Sequence, residues 1–181
     1  METISKTILL DQLEARIESH LKTIISSFQN LNEATLLKPA GNGGWSIAQC
    51  LEHLNSYGRY YLPAIQKGMN ASKDASAPTF KSSWLGAYFT RLMEPGGKNK
   101  AMKAPKEHNP APELDAAKVI AGFIEQQEWL LALVRRSAMK DIGKIRISIS
   151  IAKWIRLKLG DVFGFLVAHN ERHIQQAIRN L

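Results

Sequence analysis

An all-α fold, a four-helix bundle in up-down-down-up order, is predicted by three features of the chain. Four stretches space their apolar residues by threes and fours, which is one stripe of a helix rather than the alternation of a strand. A long polar connection containing a short helix separates the second stretch from the third, and a bundle uses such a crossover to run two consecutive helices parallel. The one alternating segment has no clear partner strand. The 181 residues suit a single domain spanning 1–181.

The first helix is read from Leu10, Leu13, Ile17, Leu21, Ile24, Phe28 and Leu31. Pro39 with Gly41, Gly43 and Gly44 then makes residues 35–44 a loop. A second helix is expected over about 47–68. Ser46 is a good N-cap, Gln49 stands three residues on, and the two form a capping box; Trp45 can staple onto Cys50. Residues 69–112 are polar and rich in proline, but Trp84, Leu85, Tyr88, Phe89 and Leu92 space as a short amphipathic helix. Their aromatic rings are expected to dock on the bundle.

The third helix is expected over about 113–139, with Val119, Phe123, Leu130 and Val134 on its stripe. Residues 144–151 alternate strictly, as Lys-Ile-Arg-Ile-Ser-Ile-Ser-Ile. They are read as an extended connection and not as a sheet. Asp161 is read as the cap of a last helix over about 162–180.

Composition narrows the function classes. With 45% hydrophobic and 22% charged residues the chain is neither disordered nor low-complexity. One cysteine, Cys50, allows no internal disulfide and no cysteine-based zinc ribbon. No apolar run approaches the ~20 residues of a membrane span. The N-terminus lacks a basic stretch followed by an apolar one, so a cytoplasmic protein is expected. The net charge is +8, and residues 61–110 carry eight basic against three acidic residues. The excess gathers at Lys98, Lys100, Lys103 and Lys106, and again from Lys140 to Lys158. No recognition-helix or zinc-finger pattern accompanies it, so a nucleic-acid partner is not expected. An anionic small substrate is the better use of such charge.

The chemistry gathers on histidines. His169 and His173 are four residues apart, about 40° on a helical wheel, so both rings leave one face of the last helix. That face also carries Val162, Phe165, Leu166 and Ala177, and two imidazoles there need partners or a metal. The third candidate is His53, whose face-mates Ser46, Gln49, Cys50, Tyr57 and Tyr60 are polar for a core stripe. Bundles build metal centres from such inward polar strips. A satisfied core histidine is the plain alternative for His53. His20 and His108 are read as surface or structural, and Cys50 as a small packing residue.

The segment Trp45-Ser46-Ile47-Ala48-Gln49-Cys50-Leu51-Glu52-His53-Leu54 resembles the second-helix motif of the DinB-like/YfiT-like metalloenzyme superfamily. Gly160-Asp161, with Phe165 to His169 and on through His173 to Gln176, is similar to that family's last helix. The two motifs stand in the right order and separation, and the likeness covers nearly the whole chain. The resemblance implies a four-helix bundle whose three-histidine site would be His53, His169 and His173. It implies a divalent metal, often nickel or zinc. Better-characterised relatives transfer low-molecular-weight thiols such as bacillithiol or mycothiol, and many others are described as metal-dependent hydrolases. This chain carries Gln49 where many members carry Glu, and an amide cannot take a proton at neutral pH.

Two reactions follow from that resemblance. A metal acidifies bound water for hydrolysis, or it deprotonates a coordinated thiol. The second needs no strong protein base and tolerates Gln49 better, so transfer of a thiol to an electrophile is the preferred expectation. Gln49, Cys50, Tyr57 and Tyr60 are the expected pocket residues around the metal. A non-catalytic, stress-related binding module is the third reading. The partner is expected to be a small molecule, and a homodimer is allowed.

Overall fold

The computed structural model describes residues 2–41, 43–73, 75–96 and 103–181. Four long helices carry the architecture: α1 (Lys6–Ser27), α3 (Ile47–Ala71), α5 (Ala116–Arg136) and α6 (Leu159–Ile178). Between them lie α2 (Glu33–Leu37), capped by Asn32, and α4 (Trp84–Met93), capped by Ser83. Strands β1 (Thr3–Ser5) and β2 (Thr79–Lys81) pair antiparallel and tie the N-terminus to the crossover. No helix among the described residues is long and apolar enough to cross a membrane.

The direction of the helices is legible in their cross-contacts. Asn55 on α3 donates to the Val119 carbonyl on α5, Trp129 donates to Gln66, and Arg136 donates to Asn70. The numbers climb together, so α3 and α5 run in the same sense. Arg135 near the end of α5 meets Glu14 and Glu18 midway along α1, while Ile24 near the end of α1 shares an apolar cluster with Ala116 to Phe123 at the start of α5, so α1 opposes α5. Asn180 reaches the Trp45 carbonyl while Phe165 packs by Tyr61, so α6 opposes α3.

Apolar burial divides into two clusters along the bundle. One holds Leu10 to Ile17 of α1, Tyr57 to Met69 of α3, Leu130 to Val134 of α5 and Leu159 to Val167 of α6. The other holds Ile24 and Phe28, Ile47 to Leu54, Ala116 to Phe123, and Ile174 with Ala177. The seam between them is a buried polar layer. His20, His53, Gln127, His169 and Asn170 occupy it, each at most 5% exposed. One long helix after another puts a hydrogen-bonding side chain at this level, and buried polar groups need partners to persist there.

Three sequence expectations are corrected. Residues 144–151 are not a lone extended connection: β3 (Arg146–Ile149) pairs antiparallel with β4 (Ala152–Lys158) as a hairpin. Its partner strand was hidden because Trp154, Lys153 and Arg156 face solvent, leaving only Leu157 of β4 buried. Asp161 does not cap α6, which begins two residues earlier at Leu159. Its carboxylate instead accepts from Ser82 and from the Ser83 amide and hydroxyl, binding the start of α4 to α6. Gly86 makes that approach feasible, since a Cβ there would collide with Asp161. Finally, Phe89 packs against the core, but Trp84 and Tyr88 stand 70% and 55% exposed instead of docking. The expected basic positions Lys98 and Lys100 lie outside the described residues.

Candidate metal centre

The site begins with the start of α3. The Ser46 hydroxyl accepts from the Gln49 amide at 3.1 Å, and Gln49 Oε1 accepts from the Ser46 amide at 3.0 Å. This capping box fixes the entry angle of the chain. It leaves Trp45 just outside the helix, with its ring 4.8 Å from that of His53 and 5.8 Å from that of His173. His53 follows two turns later on the inward face. Because α6 runs against α3, His169 and His173 arrive opposite it.

The three rings form a nearly equilateral group. Their centroids lie 5.0 Å (His53–His169), 4.6 Å (His53–His173) and 4.8 Å (His169–His173) apart. One ring nitrogen from each lies within 4.8 Å of the others. His53 and His169 are buried and His173 is half-buried.

Hydrogen bonding sets the tautomers. His53 Nδ1 lies 2.7 Å from the His108 carbonyl, which can only accept, so Nδ1 carries the proton and Nε2 is bare. His173 Nδ1 likewise donates to Gln176 Oε1 at 2.9 Å. His53 Nε2 and His169 Nε2 face each other at 3.2 Å, and His169 Nδ1 is buried with no partner among the described residues. Two imidazole lone pairs so close repel unless a proton or a cation lies between them.

All three histidines resist protonation. Burial is the main cause each time, and it lowers His53 to about 4 and His173 to about 3. His169 is pushed well below the ordinary range by burial, with His173, His53 and Arg172 adding to the effect. Neutral imidazoles are what a divalent metal requires. Zinc–imidazole bonds of about 2.0–2.1 Å in a tetrahedron place neighbouring nitrogens about 3.3 Å apart. The 3.2 Å separation of His53 and His169 is close to that edge length, and the group as a whole spans up to 4.8 Å. The residues therefore fit a divalent cation.

His108 was expected at the surface or in a structural role, and it is buried, at 5% exposed. Beyond its carbonyl, its Nδ1 meets the Ser56 hydroxyl at 2.8 Å and its Nε2 meets Ser150 at 2.9 Å, while the ring stacks on Tyr57 at 3.8 Å. The crossover is thus latched to α3 and to the turn of the hairpin. His20 is also buried, at 2%, and its Nε2 lies 2.7 Å from Glu171, whose other oxygen accepts from Gln175. That pairing lowers the Glu171 carboxyl to about 2. The sequence did carry a signal for His20: it lies three residues after Ile17 and four before Ile24, on the apolar stripe itself.

A cavity of about 550 Å³ opens on the histidines. Tyr57 lines it, but Gln49, Cys50 and Tyr60 do not. Gln49 is committed to the capping box. Cys50 is fully buried in the apolar cluster against which Trp45 packs, and burial pushes its thiol up to about 12. Tyr60 is one residue too far around the helix, and Tyr61 takes the cavity position, its hydroxyl accepting from the Ser150 amide.

Fold and site together define a helical bundle with a three-histidine centre on a cavity wall. The chain belongs to the DinB superfamily, whose family model matches residues 10–177. Among solved structures it is similar to YfiT from Bacillus subtilis, described as a probable metal-dependent hydrolase with an unusual four-helix bundle topology. That likeness has a TM-score of 0.62 at 18% identity, over 99% of this chain and 89% of the other, and is one of fold. No curated protein matches the chain.

Proposed function

We propose that His53, His169 and His173 hold one divalent cation, zinc or nickel, and that the chain uses it to transfer a low-molecular-weight thiol onto a small electrophile. The observation that carries the reading is the convergence of three neutral imidazoles at the wall of the cavity. Three such ligands leave a coordination position open, and a cation held there acidifies a thiol.

The chain's own residues orient and enclose. The His108 carbonyl and Gln176 each hold an imidazole N–H, so two ring nitrogens are kept bare toward the centre. Trp45 packs its ring by His53 and His173, and Tyr57 packs by His53 and His169. The thiol sulfur would bond to the electrophilic carbon as the bond from that carbon to its leaving group breaks; the leaving group would depart with that electron pair and the thiol proton would pass to water.

Thiol transfer is favoured over hydrolysis by the lining of the cavity, which among the described residues contains no carboxylate. Hydrolysis asks for a general base beside the attacking water. Glu171 is engaged by His20, and Gln49 is an amide engaged by Ser46. Metal-dependent hydrolysis stands as the second reading, favoured by the description of YfiT.

The test is elemental analysis of untagged protein, followed by assay of the metal-loaded chain with a thiol and a model electrophile, and with a model ester. Metal-dependent conjugation above background, with weak or absent ester cleavage, is expected. Ester cleavage without any thiol would overturn the preference. Retained metal with neither activity would favour a non-catalytic binding module.

A further inference from the structure

The cavity has a polarity of its own beyond the histidines. Phe165 stacks on His169 with ring centroids 5.6 Å apart, and it packs in turn by Tyr61 at 6.0 Å and Phe89 at 6.5 Å. Leu157 of β4 and Met93 of α4 continue that apolar wall away from the metal centre. Its volume of about 550 Å³ is that of a site for an organic molecule, not for water alone.

Only two charged side chains line the cavity among the described residues, Arg172 and Lys103, and both are cationic. Lys103 is exposed, but Arg172 is half-buried beside the histidines. Arg172 donates to the Leu92 carbonyl at 3.1 Å and joins no ion pair among the described residues. A guanidinium has five N–H donors in a planar fork suited to a carboxylate, and one backbone carbonyl leaves most of them unused.

From this geometry we infer that the substrate bound here is an amphiphilic organic anion, with an acidic group at Arg172 and an apolar body along Phe165, Phe89 and Leu157. The inference rests on the reading of this cavity as the active site, and it names the class of molecule that enters. Each end of the ligand has its reason. Burying the apolar body removes hydrocarbon from water. The acidic group gives a partly desolvated guanidinium the anionic partner that no described residue supplies.

Calorimetric titration of metal-free and zinc-loaded protein with octanoate, octanol, octylamine and acetate tests it. Octanoate is expected to bind about tenfold or more tighter than octanol in both forms, as one charge-assisted pair would provide. Octylamine should bind weakest of the three eight-carbon ligands, and acetate should not compete with octanoate. Arg172→Met should abolish the advantage of octanoate while sparing octanol, and Arg172→Lys should restore part of it. The ligand series on the native chain decides the matter even if a variant does not fold. Octanol binding as well as octanoate, or neither binding at all, would overturn the inference. Binding to metal-free protein is read separately from metal retention, so failure here and failure of the metal centre are told apart.

Discussion

His53 Nδ1 and the carbonyl oxygen of His108 lie 2.7 Å apart, across 55 positions of sequence. The crossover therefore orients the histidine of α3 through a backbone acceptor. The position of that acceptor is set by the His108 ring, which Ser56, Ser150 and Tyr57 hold. Partners that fix the N–H of a ligating histidine typically contribute 10–100-fold to metal affinity. His108→Phe keeps a ring for Tyr57 but loses both hydroxyl contacts. It should weaken zinc binding by about tenfold, measured by competition with a chromophoric chelator. Unchanged affinity would show that His53 needs no such orientation.

Zinc should stabilise the native chain through the centre itself. A ligand present at about 100 times its dissociation constant adds about 2.7 kcal/mol to stability. The melting temperature should rise with added zinc and fall with a chelator. His169→Ala should erase that response, since it removes one of the three proposed ligands, a side chain only 3% exposed. A variant that still melts higher with zinc would move the binding elsewhere.

Ser46→Ala should cost about 1 kcal/mol by loss of the cap. The Gln49 amide would lose its acceptor at 3.1 Å, and Trp45 would lose its fixed approach to His53 and His173. Denaturant unfolding monitored by circular dichroism measures the cost. No change would mean that water replaces the hydroxyl at this site.

Cys50 should be inert in the folded chain. The thiolate is the reactive form, and burial raises this thiol to about 12 with no exposed surface. Iodoacetamide at pH 8 should label it only in denaturant. Rapid labelling of native protein, read by mass spectrometry, would contradict the packing.

The pairing of His20 with Glu171 gives stability a pH dependence of known sign. The Glu171 carboxyl, held mainly by the His20 hydrogen bond, lies at about 2 against an ordinary 4.5. A depressed acid contributes stability that is full above its unfolded value and is lost as pH falls toward its folded one. Between pH 5 and pH 2 the native chain should therefore lose more stability than Glu171→Gln. Equal losses on acid titration would remove this pair from the account.

Much of the candidate site could be read in the chain because its signals are local. The capping box at Ser46 and Gln49 needs only a spacing of three, and the shared face of His169 and His173 only a spacing of four. The hairpin was harder. Residues 146–149 alternate, but β4 shows little alternation because Leu157 is its one buried side chain. Asp161 looked like a cap because aspartate before an apolar run usually is one. Its use by Ser82 and Ser83 depends on α4 folding back onto α6.

Periodicity and capping were sufficient by themselves for the helices and for the face each histidine occupies, since both depend on residues within a turn or two. Tertiary structure decided what those faces meet. The roles of His20 and His108 are fixed by partners 151 and 42 to 55 positions away. Tyr61 lines the cavity in place of Tyr60 because the hairpin turn at Ser150 packs onto that side of α3. The buried polar layer exists because all four long helices place hydrophilic residues, two of them on α6, at a common height, and no single helix carries that information. Helical phase is a property of neighbours in sequence, whereas axial registry between helices is set only when their apolar clusters pack.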